Sequence, residues 1–329
     1  MKKKSLAMVE SGIMSVLVVV FMMMAIYVPV MGVAALFIVP IPIVILNVKY
    51  NIKYSVLSII VSGVLLCMFN GVITGLANIG LYAFPAIALG QCIKYKKSST
   101  VSFIALLIGN IVGNVSSALI YIYLAMNTTV YKLIDYIVKE LKETLSIYSK
   151  LGLDPSSNLQ YKQFLSVDAN LILNIMPAIL IIGGAIFALL NYNITREIFK
   201  KLKLKMNPLP NFTEWYTDTM FGGILIIIIC IGIMTKQSGL RIGEYIFYSG
   251  SIIFQLIMFV IGLSVISYFL LNKIKMKKGF VILICVILSL SSLQSVIVVL
   301  GITDFIVDFR SKDANSIGSV LRRKLNINN

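Results

Sequence analysis

No histidine occurs among the 329 residues, and only 13 are acidic. Histidine is the commonest general base and the commonest metal ligand, so most hydrolytic and metal-dependent chemistries lose their usual residue. The four cysteines, Cys67, Cys92, Cys230 and Cys285, stand alone inside apolar blocks and make no CxxC pair. They read as small buried hydrophobes, not as zinc ligands or disulfide partners. The chain has no phosphate-binding Gly-rich loop, no Ser nucleophile elbow and no HExxH motif. Charged residues make up 13% of it, about half the share expected of a soluble domain. These gaps predict a protein that is not an enzyme and that carries no cofactor or metal.

What is present is apolar. Hydrophobic residues make up 59% of the chain and the mean hydropathy is +0.95. They come in long uninterrupted blocks, which predicts an all-α polytopic membrane bundle. A β-barrel would show short alternating segments instead. The net charge of +16 sits in short loops between the blocks, the pattern that membrane insertion selects. It points to acidic lipid headgroups as partners and not to nucleic acid. Met1-Lys2-Lys3-Lys4 and the run to Tyr27 imitate a signal peptide, but the run is too long for one and no small-x-small site follows. The reading is an uncleaved first span.

Nine spans are expected, with eight as the alternative: 6–27, 32–46, 55–69, 72–93, 101–126, 169–192, 220–234, 245–271 and 280–302. Pro40 and Pro42 remove backbone donors within the second, predicting a kinked or broken helix. The fifth is about 39 Å long at 1.5 Å per residue, enough for a hydrocarbon core of about 30 Å. With the N-terminus inside, the inner segments hold seventeen of the 29 Lys and Arg residues, the outer loops seven and the tail five. This supports a bacterial cell membrane protein with a cytoplasmic N-terminus. Nine spans place the basic tail outside, against the rule; the eight-span alternative is that the short span 220–234 does not cross fully.

The one long interruption, 127–168, repeats Val130, Leu133, Ile134, Ile137, Leu141 and Leu145 at helical spacing. That predicts an amphipathic helix on the outer face or capping the bundle, ended by a loop at Asp154-Pro155. The linker Asn207-Pro208-Leu209-Pro210-Asn211 is the best domain boundary. It separates a six-helix unit (1–205, including the amphipathic segment 128–166) from a three-helix extension with a basic tail (206–329).

Candidate functional residues are mostly amides. Asn110 and Asn114, with Ser117 and Tyr121 one and two turns on, form a polar stripe. Asn70, Asn78, Gln91 and Asn174 add polar groups in or beside neighbouring spans. One reading is a cavity for a small molecule, lined by Asn70, Asn78, Asn110, Asn114, Tyr121 and Asn174. The other is helix packing, because Gly109xxxGly113 lets backbones approach and amides bond adjacent helices. Ala7, Ser11 and Ser15 share one face of the first helix, suited either to internal packing or to docking a partner's helix. Glu10 lies about a turn into that helix, close to Lys2–Lys4, where an interfacial ion pair is expected. Asp304 and Asp308 stand one turn apart beside Arg310. Without histidine they read as an ion-pair network before a metal or phosphate site.

The Pro29 stop, Pro40-x-Pro42, Pro208-x-Pro210…Trp215 and the closing Gly301-x-x-Asp304-x-x-x-Asp308-Phe309-Arg310 together resemble the YybS-like family of Firmicute membrane proteins. Residues up to about 200 also resemble the six-helix substrate-binding S components of energy-coupling-factor transporters. That second resemblance implies a small-molecule ligand and a transmembrane coupling protein with its ATPase. It also implies docking through small residues on helix 1, here Ala7, Ser11 and Ser15. The helices after the linker depart from it, since S components end at six. Small-solute binding or transport is the first expectation, and a non-transport scaffold for other envelope proteins is the alternative. An intramembrane enzyme would require Asp304 and Asp308 to face a shared cleft.

Overall fold

A computed structural model describes residues 2–150, 167–313 and 316–324; the expected loop at Asp154-Pro155 lies outside them. Among the described residues the secondary structure is helical throughout. Eight helical segments are long and apolar enough to cross a membrane, or nine if one sharply bent pair counts as a span.

The first compact unit comprises Met1–Ile172 and Leu180–Leu209. Helix α1 (Lys2–Tyr27) stops where Pro29 opens α2 (Pro29–Ile38). A side chain on Gly32 would lie 2.6 Å from the carbonyl oxygen of Ala25, so this reversal requires glycine. The second predicted span is indeed broken. Pro40 separates α2 from α3 (Ile41–Lys49), as missing backbone donors require. This broken span is the heart of the unit, with 61% of its most apolar window buried against 28% for α1. Around it stand α1, α4 (Ile52–Asn70) and α5 (Val72–Lys94), and α6 (Ser99–Ile120) packs on α5. Val18, Met22, Ile43, Val44, Leu66, Tyr82, Leu89 and Leu106 fill the shared core. The outward faces are apolar too: Ile13, Val16, Ile60, Val64 and Ile108 are all exposed, as lipid contact allows.

Helix α6 ends in a π-helical turn, Tyr121–Ala125, where the amide of Met126 bonds the carbonyl of Tyr121 at 3.1 Å. The amphipathic α7 follows (Val130–Lys150), with Ile134 and Val138 buried while Ile137 and Leu141 on the same face stay exposed. Asp168 caps α8 (Ala169–Lys201) by accepting the Leu171 amide at 2.7 Å.

The second unit comprises Leu173–Ile179 and Pro210–Asn329. Helices α9 (Thr219–Gln237) and α10 (Arg241–Asn272) form an antiparallel hairpin, Gly232 lying against Phe247 and Gly243 against Lys236. The predicted span 280–302 is not one straight helix. It is α11 (Lys278–Leu290) and α12 (Gln294–Val307), meeting at 114° across Ser291–Leu293. A short helix absent from the expectation, α13 (Ile317–Lys324), closes the described chain.

Candidate functional site

The glycines of the predicted stripe do packing work. A side chain on Gly113 would collide with the carbonyl of Gly80, and one on Gly109 would lie 2.9 Å from the Cα of Pro85. Helices α5 and α6 therefore meet backbone to backbone, as small residues permit.

The amides share no single purpose. Asn114 donates to the carbonyl of Asn110 on its own helix at 2.8 Å. Asn70 accepts the Tyr27 hydroxyl at 3.1 Å and approaches the sulfur of Met23. Tyr121 is 47% exposed in the π-helical turn. Asn174 belongs to the second unit, where it donates to Glu244 at 3.0 Å, while Ser249 bonds the carbonyl of Asn174 and the amide of Ala178. Five of the six predicted residues thus lie in the first unit, and Asn174 lies in the second.

Two of them keep unused donors. The side-chain nitrogens of Asn78 and Asn110 are buried without a hydrogen-bond partner. Asn78 lies three and four residues from Gly75 and Tyr82, which contact Cys67 and Ser62 of α4. It therefore shares the α4-facing side of α5. Asn110 shares a face of α6 with buried Leu106.

A third residue of this kind escaped sequence reasoning. Asn47 of α3 is fully buried; it accepts from Gln91 at 3.3 Å, yet its own amide nitrogen donates to nothing. An amide in the segment following Pro40-x-Pro42 is the signal that could have found it. The hollow described between α4 and α5 is lined by Ile60, Gly63, Val64, Cys67, Met68, Val72, Leu76 and Ile79 and offers a polar solute nothing to bond.

The end of this unit carrying Asn47 is tied by charge. Lys49 pairs with Glu10 at 3.2 Å, so Glu10 reaches across to α3 for its partner. Sequence reasoning looked for a partner only in the helix's own first turn, and the cation of α3 comes from 39 residues further along the chain. Lys94 donates to the carbonyl of Tyr50 at 2.9 Å. Desolvation, and then the hydrogen bond to Glu10, push the phenol of Tyr50 above its ordinary value.

The face of α1 that should dock a partner is occupied within the chain. Ala7, Ser11 and Ser15 are 1%, 2% and 0% exposed. Ser15 meets Ser58 of α4, hydroxyl to hydroxyl, at 2.9 Å. Small residues let α1 and α4 approach closely at this contact.

In the second unit the closing motif is structural. Gly301 lies so close to α10 that a side chain there would collide with the carbonyl of Met258. Asp304 is fully buried and pairs with Arg310 at 2.9 Å. Arg310 also donates to the carbonyls of Thr213 and Trp215, both at 2.9 Å, and to Ser264 at 2.7 Å. Asp308 adopts the left-handed conformation (φ 52°) at the end of α12, which aspartate tolerates better than most residues. Its carboxylate accepts the amides of Lys312 and Asp313, each at 2.9 Å. Asp313 in turn accepts both the amide and the hydroxyl of Thr219, the first residue of α9. Each carboxylate thus has its own partners. No group of three His, Cys, Asp or Glu among the described residues is placed to hold a metal. Tyr216 beside this knot has its phenol pushed up to about 12, by desolvation first and then by Asp308 and Asp313.

A family model described as "Predicted membrane protein (DUF2232)" matches residues 16–305. Uncharacterized protein YybS of Bacillus subtilis (strain 168) is 22% identical over 316 residues, covering 94% of this chain and 99% of that protein. No solved structure matches.

Proposed function

The chain belongs to the DUF2232 family of predicted membrane proteins, and from that premise we propose that its first unit binds a small polar solute in the bacterial cell membrane. The observation behind this reading is the set of unmet donors on Asn47, Asn78 and Asn110, on three different helices of one unit. Buried amide donors in proteins almost always find partners. In an apolar bundle an unmet one is a place for a bound solute or an ordered water. The excess of Lys and Arg in alternate loops supports a cytoplasmic N-terminus. Transport would need energy from a separate ATPase through a coupling membrane protein, as for S components. Such a partner would dock elsewhere than on Ala7, Ser11 and Ser15.

The test is thermal unfolding of purified protein against a panel of vitamins and nucleobases, with mass spectrometry of whatever co-purifies. A ligand at a hundred times its Kd should stabilise by about 2.7 kcal/mol. The shift should shrink in Asn110→Leu and Asn78→Leu. No shift across the panel, together with no co-purifying molecule, removes the solute reading. Both leucine variants would then be at least as stable as the parent, as expected of a scaffold.

A further inference from the structure

The ends of the bent pair lie on one side of the second unit. Helix α11 starts at Lys278, just after α10 finishes at Asn272. Because α9 and α10 are antiparallel, with Gly232 against Phe247, the C-terminal end of α10 lies on the same side as the N-terminal end of α9 and runs on past it. Ser264 confirms this level, donating to the carbonyl of Phe212 at 2.6 Å shortly before α9 begins. Helix α11 packs back along the end of α10, Ser267 lying 3.2 Å from Cys285. The chain then turns through 114°, and α12 crosses α10 with Ile297 against Gly262 and Gly301 against Met258. After α12 the chain returns to where it began. Arg310 bonds Thr213 and Trp215, and Asp313 bonds the amide of Thr219 at 3.0 Å. A crossing segment would instead deliver residues 308–313 to the far end of the hairpin, near Ser238 and Gly239.

We propose that α11 and α12 form a re-entrant hairpin that enters and leaves on one membrane face, leaving eight complete spans. The tail then shares its face with the loop between α10 and α11. Lys273, Lys275, Lys277, Lys278, Lys312, Arg323 and Lys324 are all exposed, and the hairpin gathers them on one surface. Acidic lipid headgroups are the counter-charge that such a surface meets at a membrane. The positive-inside rule, which nine spans would violate at the tail, is then obeyed throughout.

The experiment is side-specific labelling of the full chain with a membrane-impermeant maleimide. The four native cysteines are replaced by serine or alanine, and single cysteines are introduced as Ser238→Cys, Lys277→Cys or Lys324→Cys. Intact cells and inside-out vesicles are compared. Lys324→Cys should label from the same side as Lys277→Cys and from the side opposite to Ser238→Cys. Labelling of Lys324→Cys together with Ser238→Cys overturns the proposal. Should the cysteine-free background not fold, protease sites inserted within 273–278 and after Lys324 in the native background replace it. Cleavage of both from one side of the vesicle supports the hairpin, and cleavage from opposite sides overturns it.

Discussion

Arg310 and Asp304 form an ion pair at 2.9 Å in which both side chains are fully buried. All five N–H donors of the guanidinium are bonded: two to Asp304, and one each to Ser264, Thr213 and Trp215. The pair thereby ties the stretch after α12 to α10 and to the segment before α9.

Removing one member should be far worse than removing both. Arg310→Leu leaves a buried carboxylate unpaired and should destabilise by about 3–5 kcal/mol. The double variant Asp304→Leu with Arg310→Leu should recover part of that loss. Thermal unfolding in one detergent measures both. An Arg310→Leu protein that melts with the parent would show that the pair contributes nothing.

Gly301 is a packing position of the same knot. In Gly301→Ala the new methyl would meet the backbone of Met258, which cannot move aside as a side chain can. A loss of about 1–3 kcal/mol is expected. Gly223→Ala, on α9 with nothing within 4 Å, should be neutral in the same assay.

Helix α1 offers a sharper contrast. Ser15→Leu drives a larger side chain into the contact with Ser58 and should lower the melting temperature. Gly12→Leu points into open space beside it and should leave folding intact. If Ser15→Leu folds normally but loses a protein partner, the internal role assigned to this face is wrong.

Tyr216 gives a prediction in pH. Its phenol is held protonated up to about 12 by desolvation and by the neighbouring carboxylates, against about 10 in an unfolded chain. Between those values the folded state binds the proton that the unfolded state has lost. Stability from this group is therefore complete below pH 10 and falls as pH rises toward 12. The difference between parent and Tyr216→Phe, followed by unfolding from pH 9 to 12, should carry that fall. A pH-independent difference would show that the phenol is not perturbed.

The sequence by itself determined the class of the protein, because a bilayer imposes a length and an apolar composition that one segment can satisfy alone. The breaks at Pro29 and Pro40 were equally legible, since a missing backbone donor acts within a single turn. The partners of its polar groups were not legible. Whether Ser15 meets Ser58, and whether Glu10 meets Lys49, depends on which helix stands alongside. The same holds for Asn110 and Asn114, four residues apart on one helix, of which one spends its amide on the backbone and the other leaves it unmet. Only tertiary packing decided these, and the return of α12 as well, for a run of apolar residues looks the same whether it crosses a membrane or turns back.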